Sequence, residues 1–324
     1  MKILFVSSGN KKTCGSNLAS VQAKSLIALN IKVKSYYIRG NGIVGYLKNV
    51  FPLKRLLRDN QYSIIHAHYG LSGWVALLAK SKKTKLIISF MGNDLLGDHA
   101  RNGKSTFNGS LFVSLNQHFA KYADYVIIKS SEMSDKVLLN NKSIIPNGVN
   151  LNAFFSLERT LALEKVGWDS QYRHVLFMSN PDRSEKNYNL ANIAMSQLEI
   201  EGVQLHFLNQ ISHNDLVYYY NASDVCLLTS FHEGSPNVIK EAMACNCPIV
   251  STRVGDVEEI FGNTLGCFIC SFKPADVSEK IRTALEFAQM KGRTNGRNRV
   301  IELGLDSESI AKRIIEVYEK VLRN

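Results

Sequence analysis

Apolar positions fall into short runs separated by stretches of helical period, and this rhythm runs through the chain twice. KILFV at 2–6 is the first run; a loop holding Ser8, Gly9 and Gly15 follows, then a helical stretch from Ser16 to Leu29 and a second run over 31–38. That is a βαβ unit. The pattern continues with a helix over 44–58, a strand over 63–66, a helix over 71–81, a strand over 86–90, a helix over 109–121 and a strand over 125–128. Short apolar runs alternating with helices predict a parallel, doubly wound sheet, since each crossover helix covers a face and leaves the strands buried on both sides.

Ile145-Pro146-Asn147-Gly148-Val149-Asn150 interrupts the rhythm, because Pro and Asn-Gly favour a sharp change of direction. We read a boundary here, with domains at 1–155 and 156–306. The second half repeats the alternation: helices over 157–166, 188–199 and 213–221, strands over 175–179, 203–208, 224–230, 248–252 and 267–270. Helical stretches over 275–290 and 307–322 end the chain, and a C-terminal helix at about 307–324 has the option of packing back on the first domain. Asp256, with Glu259 three residues on, predicts a capped short helix between the last two strands. The expected fold class is α/β, with two Rossmann-like doubly wound domains.

The chemistry concentrates in FHEGSPNVIKEAMA, residues 231–244. Ser235 is a good N-cap and Pro236 suits the first helical position. Gly234 lets a ligand approach the backbone, and the free N–H groups of Asn237 and Val238 carry the positive end of the helix dipole, which favours a phosphate. At about 100° per residue, Val238, Ile239, Ala242, Met243 and Cys245 share one face, whereas Asn237, Glu241 and Ala244 lie on another. Glu241 is therefore expected to be free to accept hydrogen bonds from a ligand's hydroxyls. The plain alternative is a capped helix with two exposed glutamates.

Glu233 and Glu241, with Gly234, Pro236 and the EAMA run, form a pattern that resembles the E-x7-E signature, in its EGxPxxxxEAMA form, of the retaining, nucleotide-sugar-dependent glycosyltransferases of family 4 (group 1). The resemblance implies the B-type glycosyltransferase fold, its two domains facing a cleft, with the donor in the second and the acceptor in the first. It implies Glu241 on the donor ribose and Glu233 near the donor sugar. Pro146-Asn147-Gly148-Val149-Asn150 is similar to the family's PNGVDxxxF exit from its first domain. The first loop, with Gly9 and Gly15, would face the cleft, and Lys11 and Lys12 are suggestive there. SFMGNDLLGD at 89–98 is similar to the family's HGxD loop; Gly92 and Asp94 match, but Met91 stands where the family has a His that contacts the donor sugar.

Arg183 and Lys186 follow the first strand of the second domain, on the side where α/β sheets bind ligands. Fixed cations aimed at a departing pyrophosphate stabilise its developing charge. The family offers a GRxxxxKG-like turn here; this chain has Ser179-Asn180 where Gly-Arg is expected, and Asn187 in place of the last Gly. The resemblance further implies retention of anomeric configuration and no metal or other cofactor, and no DxD carboxylate motif is found in a suitable loop.

Other residues narrow the alternatives. Gly9 and Gly15 make no GxGxxG fingerprint, which removes a dinucleotide-dependent dehydrogenase. His66 and His68 have no third ligand nearby in sequence and are read as core or cleft histidines. Cys267 and Cys270 are read as strand packing. Six cysteines without a disulfide framework fit a reducing compartment. The N-terminal apolar run is too short for a signal peptide, and no run of 18 apolar residues occurs.

Net charge is +11, and it is unevenly divided: residues 1–155 hold 21 Lys and Arg against 6 Asp and Glu, or +15, while residues 156–324 hold 18 against 22, or −4. A basic first half suits an anionic membrane surface. Residues 46–58 add an amphipathic candidate, with Leu47, Val50, Phe51, Leu53, Leu56 and Leu57 against Lys48, Lys54, Arg55 and Arg58, interrupted by Pro52. The expectation is a cytoplasmic enzyme, peripheral on the inner face of the membrane, acting on a lipid-linked glycan. Two rivals remain: a sugar-nucleotide epimerase on the same fold, and a basic nucleic-acid-binding protein. The second finds no helix-turn-helix, zinc-finger or RNP-like pattern, so nucleic acid is not an expected partner.

Overall fold

The computed structural model describes residues 1–10, 14–97 and 107–323, which divide into two compact α/β units. Lys11 and Lys12 lie outside the described residues. Gly15 lies within the first helix rather than in a loop.

The first unit carries, in chain order, β1 (Lys2–Ser8), α1 (Cys14–Ala28), β2 (Lys32–Ile38), α2 (Gly42–Leu47), α3 (Val50–Asp59), β3 (Ile64–His68), α4 (Gly70–Ala79) and β4 (Lys85–Ser89). It continues with α5 (Asn93–Leu96), α6 (Phe107–Ala120), β5 (Tyr125–Ile128), α7 (Ser131–Asp135) and β6 (Lys142–Ile144). Its sheet is wholly parallel, in the order β2-β1-β3-β4-β5-β6. The inner strands read as unbroken apolar runs because helices cover both faces. Leu4 and Val6, Ile65 and Ala67, Ile88, and Val126 and Ile128 share one core with Leu53 of α3 and Trp74 and Val75 of α4. The edge strand β2 carries Lys32 and Lys34, charges that discourage further pairing.

The second unit carries α8 (Arg159–Val166), β7 (Arg173–Phe177), a 3-10 turn (Ser184–Lys186), α9 (Tyr188–Ser196), β8 (Val203–Phe207), α10 (Leu216–Ala222) and β9 (Val225–Leu228). Then come α11 (Asn237–Ala244), β10 (Ile249–Thr252), α12 (Val257–Phe261), β11 (Cys267–Cys270), α13 (Pro274–Lys291) and α14 (Gly296–Glu302). Its sheet is also parallel, in the order β11-β10-β9-β7-β8. Val175, Phe177, Leu227 and Val250 pack on Leu190 and Ala191 of α9 and on Val277 and Ile281 of α13. The last helix, α15 (Ser307–Arg323), belongs to the first unit, where Tyr318 is buried.

Three local expectations are corrected. The second unit begins at Val149, not at 156, because Phe154 is buried against the rings of His213 (5.2 Å) and Tyr220 (6.0 Å). The helix expected over 44–58 is two helices, broken at Lys48 and Asn49; Asn49 turns its side chain onto the carbonyls of Arg39, Gly45 and Tyr46. Pro52 is not the interruption. It sits in the first turn of α3, where its missing N–H costs nothing.

Candidate donor site

In each sheet the chain reverses direction once, and ligands of open α/β sheets bind outside the carboxyl ends of the strands at that point. In the second unit the reversal lies between β7 and β9. The loop after β7 ends in the 3-10 turn holding Lys186, and the loop after β9 leads through Glu233 into α11.

The two loops are tied together. Thr229 Oγ1 donates to the carbonyls of Lys186 (3.1 Å) and Asn187 (3.0 Å), and the Phe231 N–H donates to the Glu185 carbonyl at 3.0 Å. Asn187 sits at φ 54°, the left-handed region that Asn tolerates better than most side chains, so it performs the turn for which the family's pattern has Gly. Lys186 is thereby held 9% exposed, its Nζ paired with Glu233 Oε1, which also accepts from Ser230 Oγ at 2.7 Å. Arg183 is not part of this cluster. It forms an exposed ion pair with Glu185 (2.6 Å). Burial opposes the charge on Glu185, but Arg183, a backbone N–H and Lys186 together outweigh it, so its carboxyl is held below the usual range.

Pro236 is the N-cap of α11 and Asn237 its first residue, a correction to the expected Ser235 cap. Ser235 donates instead to Asp256 Oδ2 at 2.6 Å, and Asp256 in turn makes no side-chain cap on α12. Burial raises the Asp256 carboxyl, with Lys240 and Ser235 acting against it. Gly255, at φ 54°, lies under the same loop: a Cβ there would meet the Gly234 carbonyl oxygen at 2.5 Å and that of Glu233 at 2.9 Å. Gly234 and Ser235 are buried, and the Asn237 Oδ1 is buried without a hydrogen bond among the described residues. Val238 is half-buried.

The largest correction concerns Glu241. It does not lie on a free face: it is 5% exposed, accepting from Tyr220 Oη on Oε2 (2.9 Å) and contacting His213 Nε2 through Oε1 (2.9 Å). Lys240 is buried too, and burial brings its amine down to about 8, with Asp256 and Glu241 opposing. Helical period alone put Glu241 on a face separate from the core-facing one and left it free for a ligand. His213 is itself in the loop before α10 rather than in the helix expected from 213. Each carboxylate oxygen has two lone pairs, so Glu241 keeps one on each for further donors. Tyr220, His213, Ser230, Thr229, Gly255 and the Ser235 contact of Asp256 were all missed; the available signal was a tyrosine on the buried side of a helix.

In the first unit the matched residues Gly92 and Asp94 hold the shape of the loop after β4. Asp94 is fully buried and accepts from the N–H groups of Met91 (2.8 Å), Gly92 (2.9 Å) and Gly70 (3.0 Å), so its carboxylate faces backbone. Burial raises it to about 6. Gly92 stands at φ 142°, which only glycine adopts readily. Gly9 donates its N–H to the Ile38 carbonyl at 2.7 Å. His66 bridges Tyr318 Oη (2.6 Å) and Ser89 Oγ (2.7 Å) and stacks on His68. Burial holds both rings neutral, His68 down to about 3. Among the described residues no His, Cys, Asp or Glu cluster could hold a metal ion, Cys267 and Cys270 included.

Two family descriptions match the chain: Glycosyltransferase Family 4 over residues 17–153, and Glycosyl transferases group 1 over residues 173–286. The chain belongs to the group 1, family 4 glycosyltransferases. It is similar to a Bacillus subtilis protein named as a teichuronic acid biosynthesis glycosyltransferase, at 23% identity over 68% of this chain and 63% of that one. It is also similar to the N,N'-diacetylbacillosaminyl-diphospho-undecaprenol alpha-1,3-N-acetylgalactosaminyltransferase of Campylobacter jejuni, at 25% identity over 86% of this chain and 82% of that one. Among solved structures, sucrose-phosphate synthase of Thermosynechococcus elongatus superposes with a TM-score of 0.85 at 18% identity, covering 100% of both chains. HepE of Anabaena in complex with UDP superposes with a TM-score of 0.75 at 16% identity, over 99% of this chain and 100% of that one. These likenesses place this glycosyltransferase in the B-type fold.

Proposed function

We propose that this glycosyltransferase moves a sugar from a nucleoside diphosphate sugar to an acceptor hydroxyl with retention of configuration, and that the donor binds the second unit. The observation that carries the reading is the gathering of Lys186, Glu233 and the α11 N-terminus at the reversal point of that sheet. The diphosphate would meet the N–H groups of Asn237 and Val238 and the Lys186 ammonium. Glu241, about 6 Å further along the helix at 1.5 Å per residue, would take the ribose hydroxyls. The bond from the anomeric carbon to the β-phosphate oxygen breaks, its electron pair leaving with the nucleoside diphosphate. Lys186 stabilises the charge that develops there. The acceptor oxygen bonds to the same face of that carbon, and its proton passes to a donor phosphate oxygen.

The acceptor is assigned to the first unit and to a lipid-linked glycan at the inner face of a membrane. That unit carries 23 Lys and Arg against 9 Asp and Glu, or +14, while the second carries 16 against 19, or −3. On α2 and α3, Val44 is 69% and Phe51 80% exposed, beside exposed Lys48, Lys54, Arg55 and Arg58. Apolar side chains flanked by basic ones are the composition of an interfacial helix. A lipid-diphosphate acceptor appears in the name of the Campylobacter relative, which supports the same reading. No helix among the described residues is long and apolar enough to cross a membrane.

A melting-temperature screen against UDP-, GDP-, ADP- and CMP-sugars tests the donor class. One nucleotide should stabilise the protein by about 2.7 kcal/mol at a hundred times its Kd, and no shift with any would reject it. Interconversion of the sugar with no acceptor present would favour the epimerase. Sedimentation with anionic vesicles at low and high salt tests the surface: binding should fall on replacing Lys54, Arg55 and Arg58 by Gln, and equal recovery with neutral vesicles would point to a soluble acceptor.

A further inference from the structure

His213 lies in the loop between β8 and α10, with its side chain 37% exposed, and its Nε2 touches the carboxylate oxygen of Glu241 at 2.9 Å. The other oxygen is taken by Tyr220, which is fully buried. The ring of His213 stands edge-on to Phe154, also buried, so a second contact besides Glu241 holds its orientation. This is more than a packed core histidine needs. The ring is the partly open member of a three-group cluster whose two other members are closed to solvent.

We infer that His213 is a positioning residue for the donor: it orients the carboxylate of Glu241 towards the ribose, and its proton sets the local charge that the nucleoside diphosphate meets. The inference rests on the donor reading above. With the proton on, His213 and Glu241 form a neutral pair, and an anionic diphosphate about one helical turn away is not repelled. With the proton off, the pair carries one negative charge at about 6 Å, which weakens binding on the order of tenfold. The groups acting on His213 are few. Glu241 on α11 faces it directly and holds its proton more tightly than usual, burial opposing. Tyr220 on α10 reaches the far oxygen, its own ionisation driven far up by burial and then by Glu241. Lys240 acts on Glu241 from within α11, and Phe154 brings no charge.

The sign follows from a raised histidine: affinity is greatest while His213 is protonated and falls as pH rises through its titration, above the ordinary value of 6.5. The test is calorimetric titration of the full chain with UDP, and in parallel with GDP and ADP, from pH 5.5 to 8.5. Wild type, His213→Gln and Tyr220→Phe are compared. The ligand's own ionisation is common to all three and cancels in their ratios. Wild type and Tyr220→Phe should lose about tenfold across the range relative to His213→Gln, which should bind with no step of its own. A wild-type profile parallel to that of His213→Gln overturns the inference and leaves the donor reading standing. Failure of wild type to bind any of the three nucleotides at every pH overturns both.

Discussion

Both units of this glycosyltransferase place polar side chains at the carboxyl ends of a parallel sheet, but they satisfy them in opposite ways. In the first, Asp94 spends its oxygens on backbone N–H groups, and His66 lies between Tyr318 and Ser89. In the second, Glu233 is held by the Lys186 ammonium, and Glu241 by His213 and Tyr220. The first arrangement fixes loops. The second holds charge and open lone pairs, which the proposed reading assigns to an incoming diphosphate and its ribose. Topology alone does not distinguish the two sheets; the partners of the strand-end residues do.

The difference is broken most severely at Lys186. Lys186→Ala should lower transfer at least a hundredfold, because its charge-assisted bond strengthens as the leaving group charges up. Circular dichroism should stay native while the melting temperature drops, since Glu233 is left without its cation. Glu241→Ala should cost roughly 1.5–3 kcal/mol of transition-state stabilisation. Near-normal turnover in either variant would remove that residue from the site.

A subtler perturbation leaves the charges in place and moves the loop that carries them. Gly255→Ala puts a Cβ at 2.5 Å from the Gly234 carbonyl oxygen at a positive φ, a strain on the order of 1–3 kcal/mol. Transfer should fall about tenfold or more with nucleotide affinity changed in the same direction. Unaltered kinetics would mean that the backbone at Glu233 and Gly234 need not be held.

The first unit should reveal its neutral histidines in acid. His66 and His68 are depressed in the folded state, so the stability they contribute is present above about 6.5 and is lost as pH falls, towards about 3 for His68. Asp94 runs the other way: its folded value of about 6 exceeds the ordinary 3.8, so its penalty is relieved as pH falls through that window. Two histidines against one aspartate leave a net loss of stability from these groups as pH falls below about 6. Urea midpoints for wild type and His68→Gln should converge as pH falls; parallel curves would contradict the assignment. The smallest effect is expected at Arg183, whose exposed pair with Glu185 is worth under about 1 kcal/mol. Arg183→Ala should leave stability almost unchanged, and a large loss of transfer would place the arginine on the donor after all.

The alternation of strands and helices was legible because a parallel sheet writes its inner strands as apolar runs, as in Ile64–Ile65 or Val225–Leu228. The position of the candidate site was legible because Glu233, Gly234, Pro236 and Glu241 are close in sequence. What surrounds Glu241 was not. Helical period reports which side of α11 its own residues face, and it is silent about Tyr220 and His213, which come from 21 and 28 residues upstream. The break at Lys48 and Asn49 was hidden for a related reason: Asn49 caps carbonyls by its side chain, whereas Pro52, the visible breaker, is harmless in a first turn. The Ser235 hydroxyl found a carboxylate on another loop, a competition that a local capping rule cannot register.

The most direct test of the division between the units is hydrogen exchange on the full chain with and without saturating nucleoside diphosphate. Slowed exchange should concentrate in 183–187, in 230–241 and around His213, with 1–97 little changed. Protection centred instead on the loops after β1, β3 and β4 would contradict the account and put the donor on the first sheet.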